Sequence, residues 1–543
     1  MSTARPIEDV AVELGLTAEE YDVHGRHRAK IHVDGFAEPG QPPGRYVLVT
    51  ATTPTSAGVG KTVTAIGLTM GLSRLGHRSA VSLRESALGP TLGAKGGGAG
   101  GGCAQVLPLH ECLLELGDTV AVGAATNLLA AVVDDTLHRG GGIDASAITW
   151  RRVLDVNDRS LRQVVVGLGG RLNGPPRETG FDITAASEVM AVLALSRDRA
   201  DLRARLGALV PAWDSGGKPV TAGQLRAAGA MAVLLRSALQ PNLLQTSEGT
   251  PVLVHAGPFG NLSLGSSSVL ADRFALPRVD FLVTEAGFGA DLGAEKFFHL
   301  KCPASGHYPD VVVLTTTVRS LREHGGAAAD SPDLAAVATG TANLRHHIGI
   351  LRAFEVPIVV TINLFPGDST AEVALVRGAA LDAGATAVTE HLAFAQGGNG
   401  CLELAEAVAV ASRTETLAAS PHALYAPTDD CRQKVHVLAT QVYGAADVAW
   451  DPAAERALDR FVEAGYGQLP VCMAKTHLSL SHDPARRGVP TGFTLPVREV
   501  RLAAGAGYLT VLTGAIATMP GMPVHPRFLD LDLDPDGTVV GLA

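Results

Sequence analysis

The stretch RYVLVTATTPTSAGVGKTVTAIGLTMGLSRLG, residues 45–76, decides the fold. It opens on an apolar run, Arg45 to Thr50, that shows no polar alternation, the pattern of a strand buried on both faces. It passes through TPTSAGVGKT and enters a helical pattern from Lys61 to Leu75, with Val63, Ile66, Met70 and Leu72 as apolar positions and Gly76 as the stop. A loop placed between a strand and a helix can wrap a phosphate in successive backbone N–H groups, and the helix N-terminus adds positive potential. Lys61 would reach the terminal phosphates, and the Thr62 hydroxyl suits a Mg2+ ligand. The usual phosphate-loop pattern has glycine five residues before Gly60, where this chain has Thr55. The nucleotide-binding set read from this segment is Thr53, Thr55, Ser56, Gly58, Gly60, Lys61 and Thr62. A glycine-rich turn carrying a solvated lysine is the competing reading.

Similar Val-rich runs recur outward from this unit: SAVSL from Ser79, PVLVHAG from Pro251, VDFLVTEAG from Val279, DVVVLTTT from Asp310 and VPIVVTINLF from Val356. Helical patterns separate them, which predicts a parallel sheet with right-handed crossovers. The fold class expected is α/β, with a P-loop NTPase-like parallel-sheet core domain and two further α/β domains. The core is expected to be discontinuous, residues 1–118 and 245–362. Residues 119–244 read as a mainly helical insertion, with helices at Asn127–Leu137, Arg159–Gly167 and Ala185–Leu195, and residues 363–543 as a C-terminal α/β domain. Ligands of such sheets bind beyond the carboxyl ends of the strands. Those ends carry Thr53, Arg84, His255, Glu285, Thr315 and Asn363. Any one of them can be polar merely because it meets solvent; the functional reading needs them to converge on one rim.

The second strand runs into LRESALGPTLGAKGGGAGGGCAQ. Arg84 there can grip an anion with two N–H groups, or form an ordinary ion pair with Glu85. Gly97 and Gly98 belong to a run that suits close approach of backbone to a ligand, a flexible surface loop being the alternative. Lys61 and Arg84 are the candidate catalytic residues, Thr62 the candidate metal ligand. Together these groups would neutralise a transferring phosphoryl group by position and charge. The residues reach an ATP-using phosphoryl-transfer enzyme without naming its acceptor.

The whole chain has 543 residues, 44 Lys and Arg against 54 Asp and Glu, and a net charge of −10, which argues against nucleic acid or an anionic membrane as partner. Six scattered cysteines without a CxxC pair read as reduced thiols, and the start MSTARPIEDV lacks the apolar segment of an export signal, so a cytoplasmic protein is expected. No apolar run is seen to approach the ~18 residues of a membrane span. The adjacent His346 and His347 point apart on a helix and are poor joint metal ligands. Glu295 and Lys296 either pair with each other or line the site, and Asp291 and Glu285 are candidates for steering a cation.

TPTSAGVGKT, LRESALGPTLGAKGGGAGGGCAQVLP, ITWRRVLDVNDRSLRQVVVGLGG, GFDITAASEVMA, EGTPVLVHAGPF, VTEAGFGADLGAEKFF and TMPGMP occur in order, and from about Asp34 to the C-terminus the chain resembles the formate–tetrahydrofolate ligases. The resemblance implies a three-domain α/β subunit in a homotetramer. It implies that ATP phosphorylates formate and that N10 of tetrahydrofolate attacks the resulting formyl phosphate, with Mg2+ and a monovalent cation (K+ or NH4+) in support. Lys61 and Arg84 would then hold the phosphate and the formyl phosphate. Phe365, in INLFPGD, and Phe394, in AFAQGGNG where the family usually has tryptophan, would stack on the pterin. Val59, Leu264, His299, Leu364, Gln396, Asn399 and Ala515 also differ from the family's usual residues, and LLELGDTVAV near Gly117 is shorter than its counterpart. A carboxylate-activating ligase with another acceptor and a non-catalytic homologue are the competing functions.

Overall fold

The computed structural model describes every residue except 1–3, 34–42, 56–57, 94–97, 414–422, 515 and 543. Ser56, Gly97 and Ala515, singled out above, lie outside the described residues.

Seven parallel strands form the heart of a twelve-stranded sheet. In chain order they are β1 (Arg45–Ala51), β2 (Ser79–Leu83), β3 (Pro251–Val254), β4 (Phe281–Glu285), β5 (Val311–Thr316), β6 (Ile358–Asn363) and β7 (Ala387–His391). Across the sheet they run β3-β2-β4-β1-β5-β6-β7. The apolar runs have the predicted cause: nearly every residue of β1 to β6 is buried, because helices cover both faces. Beyond β3 the sheet turns antiparallel through Asn242–Thr246, Ala29–Ile31 and Tyr21–Val23. The boundary expected at residue 362 falls inside β6, one residue before its end, with β7 still to follow in the same sheet.

Helix α1 (Lys61–Arg74) follows β1 and ends before Gly76, whose φ of +87° suits glycine. From β1 the chain moves to β2 on one side of it, and β5 later pairs on the other. The carboxyl ends of β1 and β4 therefore flank the point where strand order reverses, the position at which open α/β sheets form a ligand crevice.

The segment 119–244 departs from the mainly helical expectation. Helix α2 (Asp118–His138) is as long as its apolar pattern suggests. The helix expected at Arg159–Gly167 is instead a short 3-10 turn, Arg159–Arg162, and a strand, Val164–Val166, paired antiparallel with Arg177–Thr179. Asp158 caps the turn by accepting from Ser160 N, and three consecutive valines stiffen the chain toward an extended form. Ile143–Ile148 and Ala212–Asp214 also pair, so this segment mixes strands with helices. In the C-terminal part, Val471–Ala474 lies parallel to Tyr508–Leu512, which pairs antiparallel with Glu499–Ala503.

One helical run among the described residues, Glu111–His138, is long and apolar enough on average to cross a membrane, although polar residues break its apolar sequence throughout. Half of it is buried in the fold, and Gly117, with φ +82°, interrupts it. All six cysteines are free, as expected.

Arg322 is buried and forks onto Glu372 at 2.8 and 2.7 Å, with Asp368 at 3.5 Å. The Glu372 carboxyl is held down at about 2 by that guanidinium. Arg322→Ala would strand a buried carboxylate, so a loss of about 3–5 kcal/mol is expected. It should appear as a lower denaturation midpoint, with Arg322→Lys recovering only part of it.

Candidate active site

Arg84 and Glu285 meet on the rim, Thr53 and Asn363 brace the loop beside it, and His255 and Thr315 join neither. Thr62, in the first turn of α1, donates its hydroxyl to Glu285 Oε2 at 2.8 Å. Arg84, one residue past β2, places Nη2 3.7 Å from Oε1 of the same carboxylate. One buried carboxylate at the end of β4 thus links the helix that starts with Lys61 to the arginine of the neighbouring strand. Glu285 is almost fully buried, whereas the Arg84 side chain keeps 28% of its surface exposed and can meet a ligand. Glu85, the alternative partner considered for Arg84, points the other way along the extended chain and accepts from the Asp118 amide at 3.2 Å. Burial and the neighbouring Asp118 push the Glu85 carboxyl well up.

Two glycines open the space beside Arg84. A Cβ on Gly287 would lie 3.5 Å from both terminal guanidinium nitrogens, and one on Gly260 would lie 3.7 Å from Nη1 and press into the Phe288 ring at 2.9 Å. Phe288 has φ +62° and stacks on His477 at 4.6 Å. Ala256, just after β3, has φ +50°. Such backbone costs ~1–3 kcal/mol and persists only where the surroundings impose it. Both strained residues sit at strand carboxyl ends, next to Arg84 and Glu285.

The loop before α1 is held from β6, and the first turn of α1 from β7. Asn363 Nδ2 donates to Val59 O at 3.3 Å, and Thr64 Oγ1 meets His391 Nε2 at 3.0 Å. Gly58 and Gly60 have φ +71° and +79°, and a side chain on Gly60 would collide with Asn363. Thr53, at the start of the loop, is held by three distant residues. Its hydroxyl meets His347 Nε2 at 2.9 Å and receives from Asn343 Nδ2 at 3.0 Å, while its carbonyl contacts His324 Nε2 at 2.9 Å. Thr55 is buried in the same loop.

His255 is one of the two rim groups that stand apart. It is turned inward between Ser268 Oγ and Ala238 O and faces away from the loop. Thr315 is buried without a hydrogen-bond partner for its hydroxyl. Glu295 and Lys296 pair apart: Glu295 with His299 at 2.8 Å, Lys296 with the carbonyls of Gly260 and Asn261. Asp291 is locked to Lys475 at 2.7 Å, and although burial opposes it, that ammonium keeps the Asp291 carboxyl below its usual value. Of the two acids considered for steering a cation, Glu285 alone contacts the helix start. His346 and His347 have rings 87° apart and separate partners, as their adjacency predicts, and among the described residues no group of three metal-binding side chains occurs.

The two phenylalanines occupy different settings. Phe394 is 61% exposed and lies on the glycine run: Cβ atoms built on Gly101 and Gly102 would touch its ring. Gly98 donates its amide to Ser86 Oγ at 2.9 Å, which ties the same run to the end of β2. Phe365 is half-buried beneath the Arg319 guanidinium, 4.5 Å above its ring. The roles of Asn343, His347 and Gly260 escape sequence reading because they lie far along the chain; the glycines of PFGN and AGFG were the local signal.

These features define an α/β protein in which a hydroxyl and a guanidinium meet one buried carboxylate at the switch point of a parallel sheet. A family model described as Formate--tetrahydrofolate ligase matches residues 1–543. Proteins of that name are 52% identical in Roseiflexus sp. (strain RS-1), covering 99% of this chain and 98% of theirs, and 51% identical in Saccharopolyspora erythraea, covering 99% and 97%. One from Cutibacterium acnes is 48% identical over the same shares. The chain belongs to the formate–tetrahydrofolate ligase family.

Burial lowers His255 and His347 to about 3 and His391 to about 4, against 6.5 in an unfolded chain. A folded value below the unfolded one means that unfolding binds a proton between the two. Stability is therefore full above about pH 6.5 and falls as the pH drops toward 4. Near pH 5 the three histidines together should take up close to three protons on unfolding, about 1.4 kcal/mol per pH unit each. Calorimetry in buffers of different ionisation heat measures this uptake, and His391→Gln should lower it by about one proton.

Proposed function

We propose that this protein ligates formate to tetrahydrofolate at the expense of ATP, giving 10-formyltetrahydrofolate, ADP and phosphate. Family membership over the full length supports this reading, and the meeting of Thr62 and Arg84 on one carboxylate carries it. Neither a different acceptor nor loss of catalysis is favoured by relatives that share half of all positions.

In this reading an oxygen of formate attacks the γ-phosphorus of ATP and ADP leaves. The product, formyl phosphate, has its negative charge masked as a mixed anhydride, so N10 of tetrahydrofolate can attack the carbonyl carbon and expel phosphate. Lys61, at the first position of α1, neutralises the phosphates from the helix start, and Arg84 grips the transferring group with its fork. Gly58, Gly60 and the clamped loop residues Thr53 and Thr55 bring backbone N–H groups against the triphosphate, with Ser56 in the same loop. Gly98, preceded in the sequence by Gly97 and with more glycine shortly after it, would approach the phosphates with its backbone. Glu285 preorganises Arg84 and the Thr62 hydroxyl before the substrates arrive.

The Thr62 hydroxyl and the Glu285 carboxylate offer two hard oxygens 2.8 Å apart, which fits Mg2+. Bound there, the metal would supply charge neutralisation at the phosphates. A monovalent cation, K+ or NH4+, rests on the family resemblance, with no residue assigned. Phe394 presents an open ring for the pterin, with Phe365 on the other side of the folate. A cytoplasmic homotetramer is part of the same proposal.

The test is formation of 10-formyltetrahydrofolate with ATP, Mg2+, K+ and formate. Lys61→Ala and Arg84→Ala should each lower kcat by at least ~100-fold, the scale of losing one preorganised charge contact. Wild-type protein that releases ADP without formylated folate would overturn the reading. Phe394→Trp should lower KM for tetrahydrofolate with little change in KM for ATP, which checks the pterin platform separately.

A further inference from the structure

A cavity of about 620 Å3 lies away from the strand rim, a volume within the ~300–1,000 Å3 usual for small-molecule sites. One wall comes from residues between Thr126 and Trp213 and the other from the C-terminal part, Ala453 to Thr510. Neither Lys61, Thr62, Arg84 nor Glu285 lines it.

Its floor is aromatic. Trp213 is buried and stacks on Phe461, ring centroids 6.0 Å apart and 25° between planes. Trp150 and Tyr508 complete the floor, each with its polar atom already bonded: indole N–H to Thr126 O, hydroxyl to Ser263 Oγ. Aromatic faces with satisfied polar ends favour a flat ring.

Its charge is uneven. Arg151 pairs with Asp182 at 3.2 Å and Arg501 with Glu499 at 2.6 Å, while Glu188 accepts from the Gly505 amide. Arg456 and Arg460 are different. They are four residues apart on the helix Pro452–Glu463, so they share a face, and both line the cavity. Neither makes an ion pair among the described residues, and Arg460 lies 5.2 Å over the Trp213 ring. Asp144 lies near enough to Arg460 to feel its charge, yet neither arginine is ion-paired among the described residues, and two exposed guanidiniums above an aromatic floor match a planar ring that carries an anionic tail.

We propose that this cavity is a second ligand site, distinct from the strand rim, for a planar aromatic compound bearing a phosphate or carboxylate. Arg456 and Arg460 hold the anion, and the ring packs against the aromatic side chains that line the cavity, Trp213 and Phe461 among them. Leu262 lines the cavity two residues beyond Gly260, which faces Arg84, so an occupant touches the loop behind the anion-gripping arginine.

Two of the protein's three tryptophans, Trp150 and Trp213, line the cavity, so intrinsic fluorescence reports its occupancy. AMP and folic acid are the probes, with adenosine and inorganic phosphate as fragments lacking the anion or the ring. AMP or folic acid should quench saturably at or below about 1 mM. The Arg456→Ala/Arg460→Ala variant should weaken that quench at least tenfold, Arg84→Ala should leave it within twofold, and each fragment should bind at least tenfold more weakly. Both arginines are exposed, so the double variant should fold, and an unchanged thermal midpoint checks this. No saturable quench with either probe, or a quench that survives the double variant or vanishes with Arg84→Ala, would overturn the proposal.

Discussion

A single carboxylate organises the rim. Glu285 is buried at the end of β4, and a buried carboxylate needs partners. It finds them in Thr62 of α1 and Arg84 beyond β2, strands apart in sequence but adjacent in the sheet. The same desolvation that makes an unpartnered carboxylate costly draws a cation and a hydroxyl toward one point. At 3.7 Å the contact with Arg84 is loose, and the guanidinium keeps part of its surface open.

The loop around this point is held in place from outside. Asn363 on β6 fastens it from one side, where His391 on β7 holds the first turn of α1, and His347, Asn343 and His324 hold Thr53 from another. Glycines at positive φ let the backbone curl, and the clamps keep it curled. His347 and His391 stay neutral because they are buried, so these contacts do not switch within the ordinary pH range.

The parallel sheet could be read from the Val-rich runs because burial on both faces leaves a continuous apolar string in the chain. The strand after residue 362 was less visible: AVTEH in β7 has both polar and apolar residues, as an edge position permits. Arg159–Gly167 misled for a related reason. Its apolar residues satisfy a helical spacing, yet three valines in a row pair with Arg177–Thr179 once that segment is near, and periodicity does not report a partner.

Local patterns in the sequence determined the strand–loop–helix unit, the location of Lys61 and Thr62 at a helix start, and the strand ends on which Arg84 and Glu285 stand. Those follow from burial and backbone preference over a few neighbouring residues. The partner of Arg84 was decided by tertiary structure alone. Glu85 was next in the chain, but alternate side chains of an extended segment face opposite ways, and sheet order brought Glu285 from two hundred residues away. His255 turned inward for the same kind of reason: a strand end is polar by sequence, but the elements packed over it choose which way the side chain points.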